Sequence, residues 1–158
     1  MTWHEVTAEV DQGAILAERL IELDIDITSI KLMVMQYRVG FELFKEFIGD
    51  VISGKDIATA GTIDSFGKMH YSYERPNNGI LDLTWDENQI SSFLRCMDYG
   101  VLNVLGKPFV MEDNLKYGWD SYKILECHPK DVHESESKII KKGRTVFVLQ
   151  NIHLLNDI

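Results

Sequence analysis

The sequence is poor in the residues that mark secreted and membrane proteins. Its 158 residues include two cysteines, Cys96 and Cys127, which lie far apart and outside any C-x-x-C or Cys/His ligand spacing. We therefore expect reduced intracellular thiols. No apolar run approaches the roughly 20 residues that a transmembrane helix needs, and no secretory signal pattern is present. A cytoplasmic protein is predicted.

Basic residues are also scarce. Lys and Arg together number 16 against 25 Asp and Glu, which gives a net charge of −9. Such a charge repels phosphate backbones and anionic lipid surfaces, so neither nucleic acid nor a membrane is an expected partner. The most basic stretch, "SKIIKKGRTVF", is interpreted as a hairpin turn that carries solvated charges.

Two helices are predicted from apolar periodicity in a composition that is typical of one globular domain. The first follows the candidate N-caps Asp26, Thr28 and Ser29 and ends at Ser53 and Gly54. Its stripe favours core packing over a cofactor site; the residues are Ile30, Met33, Val34, Tyr37, Phe41, Phe44, Phe47, Ile48 and Val51.

The second helix is predicted between the N-cap Asp86 and the C-cap Gly100. Gln89 stands where a capping box needs it, and the apolar residues with helical spacing are Ile90, Phe93, Leu94 and Met97. Trp85, just before this helix, and Tyr73 are candidates for stacking on a ligand ring, although packing is the commoner role of such aromatics.

Strands are predicted at both ends of the chain. Residues 2–23 are interpreted as two strands flanking the turn "AEVDQG". After a loop-like middle with strand patches at "GTID" and "MHYSY", the runs "FVMED", "SYKILECH", "SKIIKK" and "TVFVLQNIHLL" predict three or four strands separated by "DN", "PKD" and "KKG" turns. They favour a small antiparallel sheet or part of a barrel.

Familiar catalytic signatures are missing. The sequence has no Ser/His/Asp, H-E-x-x-H, P-loop or G-x-G-x-x-G pattern. His128, His133 and His153 lack ligand spacing, so no metal site is predicted. Asp11 stands two residues before Gly13 in a turn between strands, where a side chain can be held rigidly at a cleft. Spacing alone favours an Asx-turn or a cap for this residue.

The order of several motifs points to a family. "TWHEVT", "VDQGAIL", a capped helix, "RPNNGILDLTW" and "SSFLRCMDYG" follow one another within residues 2–111. This order resembles the second half of folate-dependent formyltransferases. The sequence is similar to methionyl-tRNA formyltransferases and sugar N-formyltransferases, and most similar to the formyltransferase domains of nonribosomal peptide synthetases.

The resemblance implies a fold and a reaction. The fold class is α/β, the back half of a Rossmann-like sheet with a long amphipathic helix, over residues 1–105. A small antiparallel β subdomain, OB-like or a partial barrel, follows over residues 106–158. The implied reaction passes a formyl group from 10-formyltetrahydrofolate to a primary amine, at a site where an Asn and a His stabilise the oxyanion and an Asp orients the His and helps to manage the proton.

The resemblance also assigns residues on the donor side. Asp11 corresponds to the catalytic Asp, and Gln12 and Gly13 to cofactor-binding positions, with Gln12 standing where Thr or Ala is more usual. The family's Asn-x-His segment is not matched, and His4 is interpreted as a structural strand residue. We therefore expect a carboxy-terminal portion of an enzyme, inactive without its other half.

The expected partners follow from this incompleteness. Parallel strands without their neighbours expose edges and apolar faces, which predicts self-association, strand exchange or a complementary amino-terminal half. The alternative function is a catalytically silent remnant that serves as a scaffold or interaction module.

The segment "RCMDYGVLNVLGKP" resembles the acceptor side of the family's cleft. The implied substrate-binding residues are Arg95, Asp98, Tyr99 and Asn103, with Gly100 and Gly106 beside them. Equally favoured is a structural interpretation, in which Arg95 and Asp98 pair at helical spacing while the glycines cap and turn. The acceptor is a small-molecule, sugar-nucleotide or carrier-linked amine, and nucleic acid enters only if the acceptor is an aminoacyl-tRNA.

Overall fold

The computed structural model describes residues 1–8, 13–55, 61, 71, 74–126 and 137–155. The chain divides into two units, Met1–His70 and Tyr71–Ile158, each with its own elements. The domain boundary that we predicted at residues 105/106 falls inside the second unit. The strand patches "GTID" and "MHYSY" lie almost entirely outside the described residues, as does the "PKD" turn.

The first unit begins with a short β-hairpin. Strands β1 (Thr2–His4) and β2 (Ile15–Glu18) pair antiparallel, with Thr2 opposite Glu18 and a bulge between Trp3 and His4. The expectation that these runs are parallel strands was wrong, and both are shorter than predicted. Only residues 5–14 connect them, whereas a parallel pair needs a crossover of about a dozen residues or more.

Helix α1 (Ser29–Ile52) confirms the predicted long helix. Thr28 is its N-cap and accepts a hydrogen bond from the Lys31 backbone N–H, while Ser53 is the C-cap and Gly54 has a φ of +69°. Trp3 packs on the helix, with its ring 5.2 Å from that of Phe44 and its Nε1 donating to the Gly40 carbonyl at 2.9 Å.

The predicted core role of the α1 stripe is not confirmed: none of its nine residues is buried, and Val34, Tyr37 and Phe41 are 59%, 73% and 61% exposed. The buried apolar residue of α1 is Leu43, which the predicted stripe did not include. A hairpin with strands of three and four residues is too small to cover the whole apolar face of a 24-residue helix.

The second unit begins with a 3-10 turn (Pro76–Gly79) and helix α2 (Glu87–Met97). The Asp86 side chain accepts from the Gln89 backbone N–H, and the Gln89 side chain accepts from the Asp86 N–H, so the predicted capping box is present. The predicted C-cap, Gly100, was wrong by two residues: the helix ends at Met97 and Asp98 is its C-cap, while Gly100, with a φ of +58°, turns the chain just beyond it.

Two antiparallel sheets complete this unit. One contains β3 (Phe109–Glu112), β4 (Leu115–Gly118) and β8 (His153–Leu154), in the order β3-β4-β8. The other contains β5 (Ser121–Glu126), β6 (Ser137–Lys142) and β7 (Thr145–Gln150), in the order β5-β7-β6. The described residues thus form six strands here rather than three or four.

Two of the predicted turns are confirmed. Asp113 and Asn114, with φ of 48° and 64°, join β3 to β4, which the sequence analysis did not recognise as a strand. Gly143, with a φ of +60°, turns the chain between β6 and β7. The predicted hairpin is present, but its turn is at Gly143 and Arg144, because Lys141 and Lys142 of "KKG" belong to β6.

The core of the second unit joins α2 to both sheets. Its buried residues are Leu81, Ile90, Phe93, Leu94, Met97, Val110, Trp119, Ile140, Phe147 and Leu149. The fold is mixed α/β with antiparallel sheets; the Rossmann-like sheet and the OB-like barrel stay predictions. No helix among the described residues has the length and apolarity needed to cross a bilayer.

Candidate functional site

The predicted donor side lies at the β1–β2 connection. Asp11 and Gln12 fall outside the described residues. Gly13 is buried, and a Cβ added to it would lie 1.8 Å from the carbonyl oxygen of Glu5. The Glu5 N–H also donates to the Ala14 carbonyl at 3.0 Å. Glycine is thus required at position 13 because the chain touches itself there, and the folate contact assigned to it stays a prediction.

His4 lies at the end of β1 and is half-buried. Its Nδ1 is 2.9 Å from the carbonyl oxygen of Glu5. This contact holds the imidazole against its own backbone, which gives His4 a local structural role.

On the predicted acceptor side, Asp98 organises the chain after α2. One carboxylate oxygen accepts from the Gly100 N–H at 3.0 Å, and the other accepts from the Tyr122 hydroxyl at 3.1 Å. Burial raises the pKa of Tyr122 above its ordinary value, and the charge and hydrogen bond of Asp98 raise it further. Both oxygens of Asp98 thus serve the fold of the segment that follows it.

Arg95 turns back along its own helix. Its guanidinium donates to the Ser91 hydroxyl and, at 3.4 Å, to the Ser92 hydroxyl. Among the described residues it makes no salt bridge with Asp98, so the helical pairing that we favoured equally was wrong. Gly100 and Gly106 have φ of +58° and +74°, which fits the predicted turns, but the cap of α2 is Asp98 rather than a glycine.

The segment after Asp98 presents its middle to solvent. The Leu102 N–H donates to the Tyr99 carbonyl at 3.0 Å, which closes a turn. Tyr99 is half-buried and Asn103 is exposed. The predicted substrate residues Arg95, Asp98, Tyr99 and Asn103 therefore come from the end of α2 and the loop that follows, which we call the acceptor loop (residues 98–106).

Two residues of this region were missed by the sequence analysis. Tyr122 belongs to β5, where nothing in its strand pattern indicated the contact with Asp98. Arg75 precedes Pro76 in "RPNNG", and its Nη1 donates to the Leu105 carbonyl at 3.2 Å. The "RPNNG" motif drew attention to the segment but not to this arginine.

A groove lies on another face of α2. It has a volume of about 320 Å³ and is lined by Pro76, Trp85, Gln89, Ser92, Phe93 and Cys96. The rings of Trp85 and Phe93 meet edge to face with centroids 5.6 Å apart, so Trp85 packs on the helix and also lines the groove. Tyr73, the other stacking candidate, lies outside the described residues.

The described residues contain no group of three or more His, Cys, Asp and Glu side chains that would hold a metal ion. His153 Nδ1 lies 3.8 Å from an Asp120 oxygen and 3.0 Å from the Asn151 carbonyl. Cys96 is exposed and forms no disulfide within the described part of the chain. Cys127, His128 and His133 fall outside the described part of the chain.

No protein-family model and no curated protein matches the sequence. Solved structures do. The N-formyltransferase from Helicobacter canadensis, in complex with folinic acid and dTDP-3-aminofucose, matches with a TM-score of 0.59 and 13% identity over 94% of this chain and 54% of its own. This chain shares the fold of N-formyltransferases.

A second enzyme gives the same result. WlaRD, a sugar 3N-formyltransferase crystallised in the presence of dTDP and 5-N-formyl-THF, matches with a TM-score of 0.59 and 17% identity over 99% of this chain and 55% of its own. The chain thus spans about half the length of both enzymes. The formyltransferase fold implied by the resemblance is confirmed, while the similarity to peptide-synthetase domains stays a prediction.

Proposed function

We propose that this chain is the carboxy-terminal portion of a formyltransferase that transfers a formyl group from 10-formyltetrahydrofolate to a primary amine. The observation that carries the proposal is the shared fold, which extends over 94% and 99% of the chain. The folinic acid and 5-N-formyl-THF in the two matching structures support a formylated folate as the donor.

Asp11 is the proposed catalytic residue of this portion. When bound, 10-formyltetrahydrofolate would supply the formyl group: the bond from the formyl carbon to the folate N10 would break as the amine nitrogen bonds to that carbon, and tetrahydrofolate would leave with the proton that the amine gives up. The Asp11 carboxylate orients a histidine and helps it to take the proton that the amine loses. The Asn and His of this arrangement are not matched among these 158 residues, and we propose that an amino-terminal half supplies them.

Gln12 and Gly13 are the residues proposed to contact the formyl donor, and the described structure shows the packing of Gly13. Gly13 has no space for a side chain at its contact with Glu5, and we propose that it fixes the path of the turn that the sequence predicts around Asp11. We assign to Gly13 the positioning of this turn, and to Gln12 a contact on the donor side.

The acceptor loop is the proposed site of the amine substrate. Both oxygens of Asp98 are engaged by Gly100 and Tyr122, so we assign the contacts with the acceptor to the half-buried Tyr99 and the exposed Asn103. We favour a sugar nucleotide as the acceptor, because the matching enzymes were crystallised with dTDP-3-aminofucose and with dTDP. A carrier-linked amine is the other acceptor class.

The test is a formyl-transfer assay with 10-formyltetrahydrofolate and a panel of amines, run on the chain alone and with a separately expressed amino-terminal formyltransferase half. We expect transfer only with the added half, and its loss in Asp11→Asn. The exposed Asp24→Asn is the matched control and should keep full activity. Full activity of Asp11→Asn would remove Asp11 from the mechanism, whereas no transfer by a folded pair would favour the alternative function.

The alternative function is a silent interaction module, and the exposed face of α1 favours it. Val34, Tyr37 and Phe41 recur at helical spacing on that face. If they hold a partner or a second copy, Tyr37→Lys should lower the apparent mass in light scattering of concentrated samples. A wild-type monomer at every concentration, with no binding to the added half, would count against this function.

A further inference from the structure

The Arg75 side chain packs against two glycines, Gly79 and Gly106. Its Nη1 donates to the Leu105 carbonyl at 3.2 Å. A Cβ on Gly79 would lie 3.1 Å from the guanidinium carbon, and one on Gly106 would lie 2.8 Å from Nη1. Both glycines have positive φ, of +81° and +74°. Two loops thus leave space for one planar cation between them.

The charge of Arg75 has no counter-ion in the described structure. The side chain is half-buried, and no carboxylate among the described residues lies within salt-bridge distance of it. Arg19 offers a contrast, since its guanidinium is paired with both oxygens of Glu46 at 2.8 and 2.7 Å. A partly desolvated cation without an anion is costly, and this is the situation in which an anionic ligand gains most.

The remaining donors of Arg75 are open to a ligand. No buried side-chain nitrogen or oxygen of the described residues lacks a hydrogen-bond partner. The guanidinium N–H groups that do not contact Leu105 therefore keep contact with solvent, from which an anion can approach them. A planar guanidinium offers paired N–H groups whose spacing matches two oxygens of a phosphate.

We propose that Arg75 is a phosphate-binding residue beneath the acceptor loop, which holds the phosphate of the amine substrate. This inference rests on the proposed function, because both acceptor classes carry phosphate: a diphosphate in a sugar nucleotide and a phosphodiester in a phosphopantetheine arm. The bond to Leu105 places the cation within the same loop as Asn103.

The test is a titration of the isotope-labelled chain with inorganic pyrophosphate at constant ionic strength, followed by the arginine Nε–H resonances. We expect a saturable shift of the Arg75 signal. Arg75→Gln, which retains a donor for Leu105, should weaken binding about ten-fold or more, and Arg75→Lys should weaken it less. Arg144→Gln, at an exposed position beside the Gly143 turn, is the matched control of equal charge and should bind as wild type does.

Equal weakening in Arg144→Gln, or no saturable shift of Arg75 in the wild-type chain, would overturn the proposal. If Arg75→Gln does not fold, the proposal is judged by the shift of the Arg75 resonance in the wild-type chain and by the pyrophosphate affinity of Arg75→Lys. A further arm compares dTDP, 4′-phosphopantetheine and thymidine. Tighter binding of either phosphate compound supports the site and identifies the acceptor class, while thymidine binding as tightly as dTDP would contradict it.

The pyrophosphate titration needs no formyl donor, so a failure of the phosphate site at Arg75 can be distinguished from a failure of the proposed formyl transfer. Phosphate binding at Arg75 without any formyl transfer would leave the site standing and remove the proposed activity. Formyl transfer with an acceptor KM unchanged in Arg75→Gln would keep the activity and remove the site.

Discussion

At the scale of single residues, Gly13 has the sharpest steric requirement in the described chain. A Cβ there would overlap the Glu5 carbonyl oxygen at 1.8 Å, whereas a Cβ on Gly49 would meet nothing within 4 Å. We expect Gly13→Ala to destabilise the first unit by about 2–3 kcal/mol. Gly49→Ala, within α1, should stabilise it by about 0.5–1 kcal/mol. Urea unfolding followed by circular dichroism measures both, and equal effects would refute the steric argument.

Tyr122 carries the second prediction at this scale. Tyr122→Phe removes the hydroxyl that donates to Asp98, a hydrogen bond to a charged group, and should cost about 1–2 kcal/mol at neutral pH. The exposed Tyr37→Phe is the control, with an expected change within about 0.5 kcal/mol. A loss as small as that of Tyr37→Phe would show that Asp98 does not depend on this contact.

The pH dependence of Tyr122 has a definite sign. Its pKa is raised in the folded chain, first by burial and then by Asp98. A raised pKa means that the native state holds the proton more tightly, so this stability is complete below the ordinary tyrosine pKa of about 10 and is lost as pH rises above it. Tyr122→Phe should therefore lose less stability than wild type in urea midpoints measured into the alkaline range. Parallel curves would contradict the prediction.

The sequence identified some residues of the acceptor side and not others. Gly100 was recognised because a glycine near a helix end is a local pattern, and Asp98 was named by the resemblance. Tyr122 and Arg75 were not recognised, because their partners lie far away in the sequence. Tyr122 is 24 residues from Asp98, and Arg75 is 30 residues from Leu105. Such contacts depend on how sheets and loops fold back, which no local pattern encodes. The pairing of Arg95 with Asp98 failed for a similar reason, because nearer serines on the helix occupy Arg95.

At the scale of elements, α2 depends on its capping box. Asp86 and Gln89 satisfy each other's backbone N–H groups at 2.9 and 3.0 Å. We expect Asp86→Ala to lower the free energy of unfolding of the second unit by about 1 kcal/mol, and Asp86→Asn to lower it by less. Thermal unfolding of the two variants side by side checks this. A larger loss in Asp86→Asn than in Asp86→Ala would show that capping is not the cause.

Helices were predictable where strands were not. Both helices carry their own signals: an apolar stripe, an N-cap and a glycine after the end. The direction of β1 against β2 and the presence of β4 follow instead from pairing with other strands. The exposure of Val34 and Phe41 also depends on the rest of the chain. Periodicity shows which face of a helix is apolar, but it does not show whether other elements cover that face.

At the scale of the whole molecule, the two units differ in their cores. In the second, α2 and strands of both sheets contribute eight of the ten buried apolar residues of one cluster, and Leu81 and Trp119 contribute the other two. In the first unit, Leu43 is the one buried apolar side chain of α1. Burial of apolar surface is the main source of stability. The second unit is therefore expected to be the more stable part, with slower amide exchange in β7 than in β1 and β2.

A matched pair of phenylalanines tests this difference. Phe147 is 0% exposed in the central strand β7, while Phe41 is 61% exposed on α1. Phe147→Ala should lower the free energy of unfolding by about 3–5 kcal/mol through lost burial and a cavity, and it should speed exchange across β5, β6 and β7. Phe41→Ala should change stability by within about 0.5 kcal/mol. Hydrogen exchange with mass spectrometry assigns each effect to its unit. A large loss from Phe41→Ala would show that its ring is covered in solution, by a second copy or another part of the chain, and would favour the interaction module over an open face.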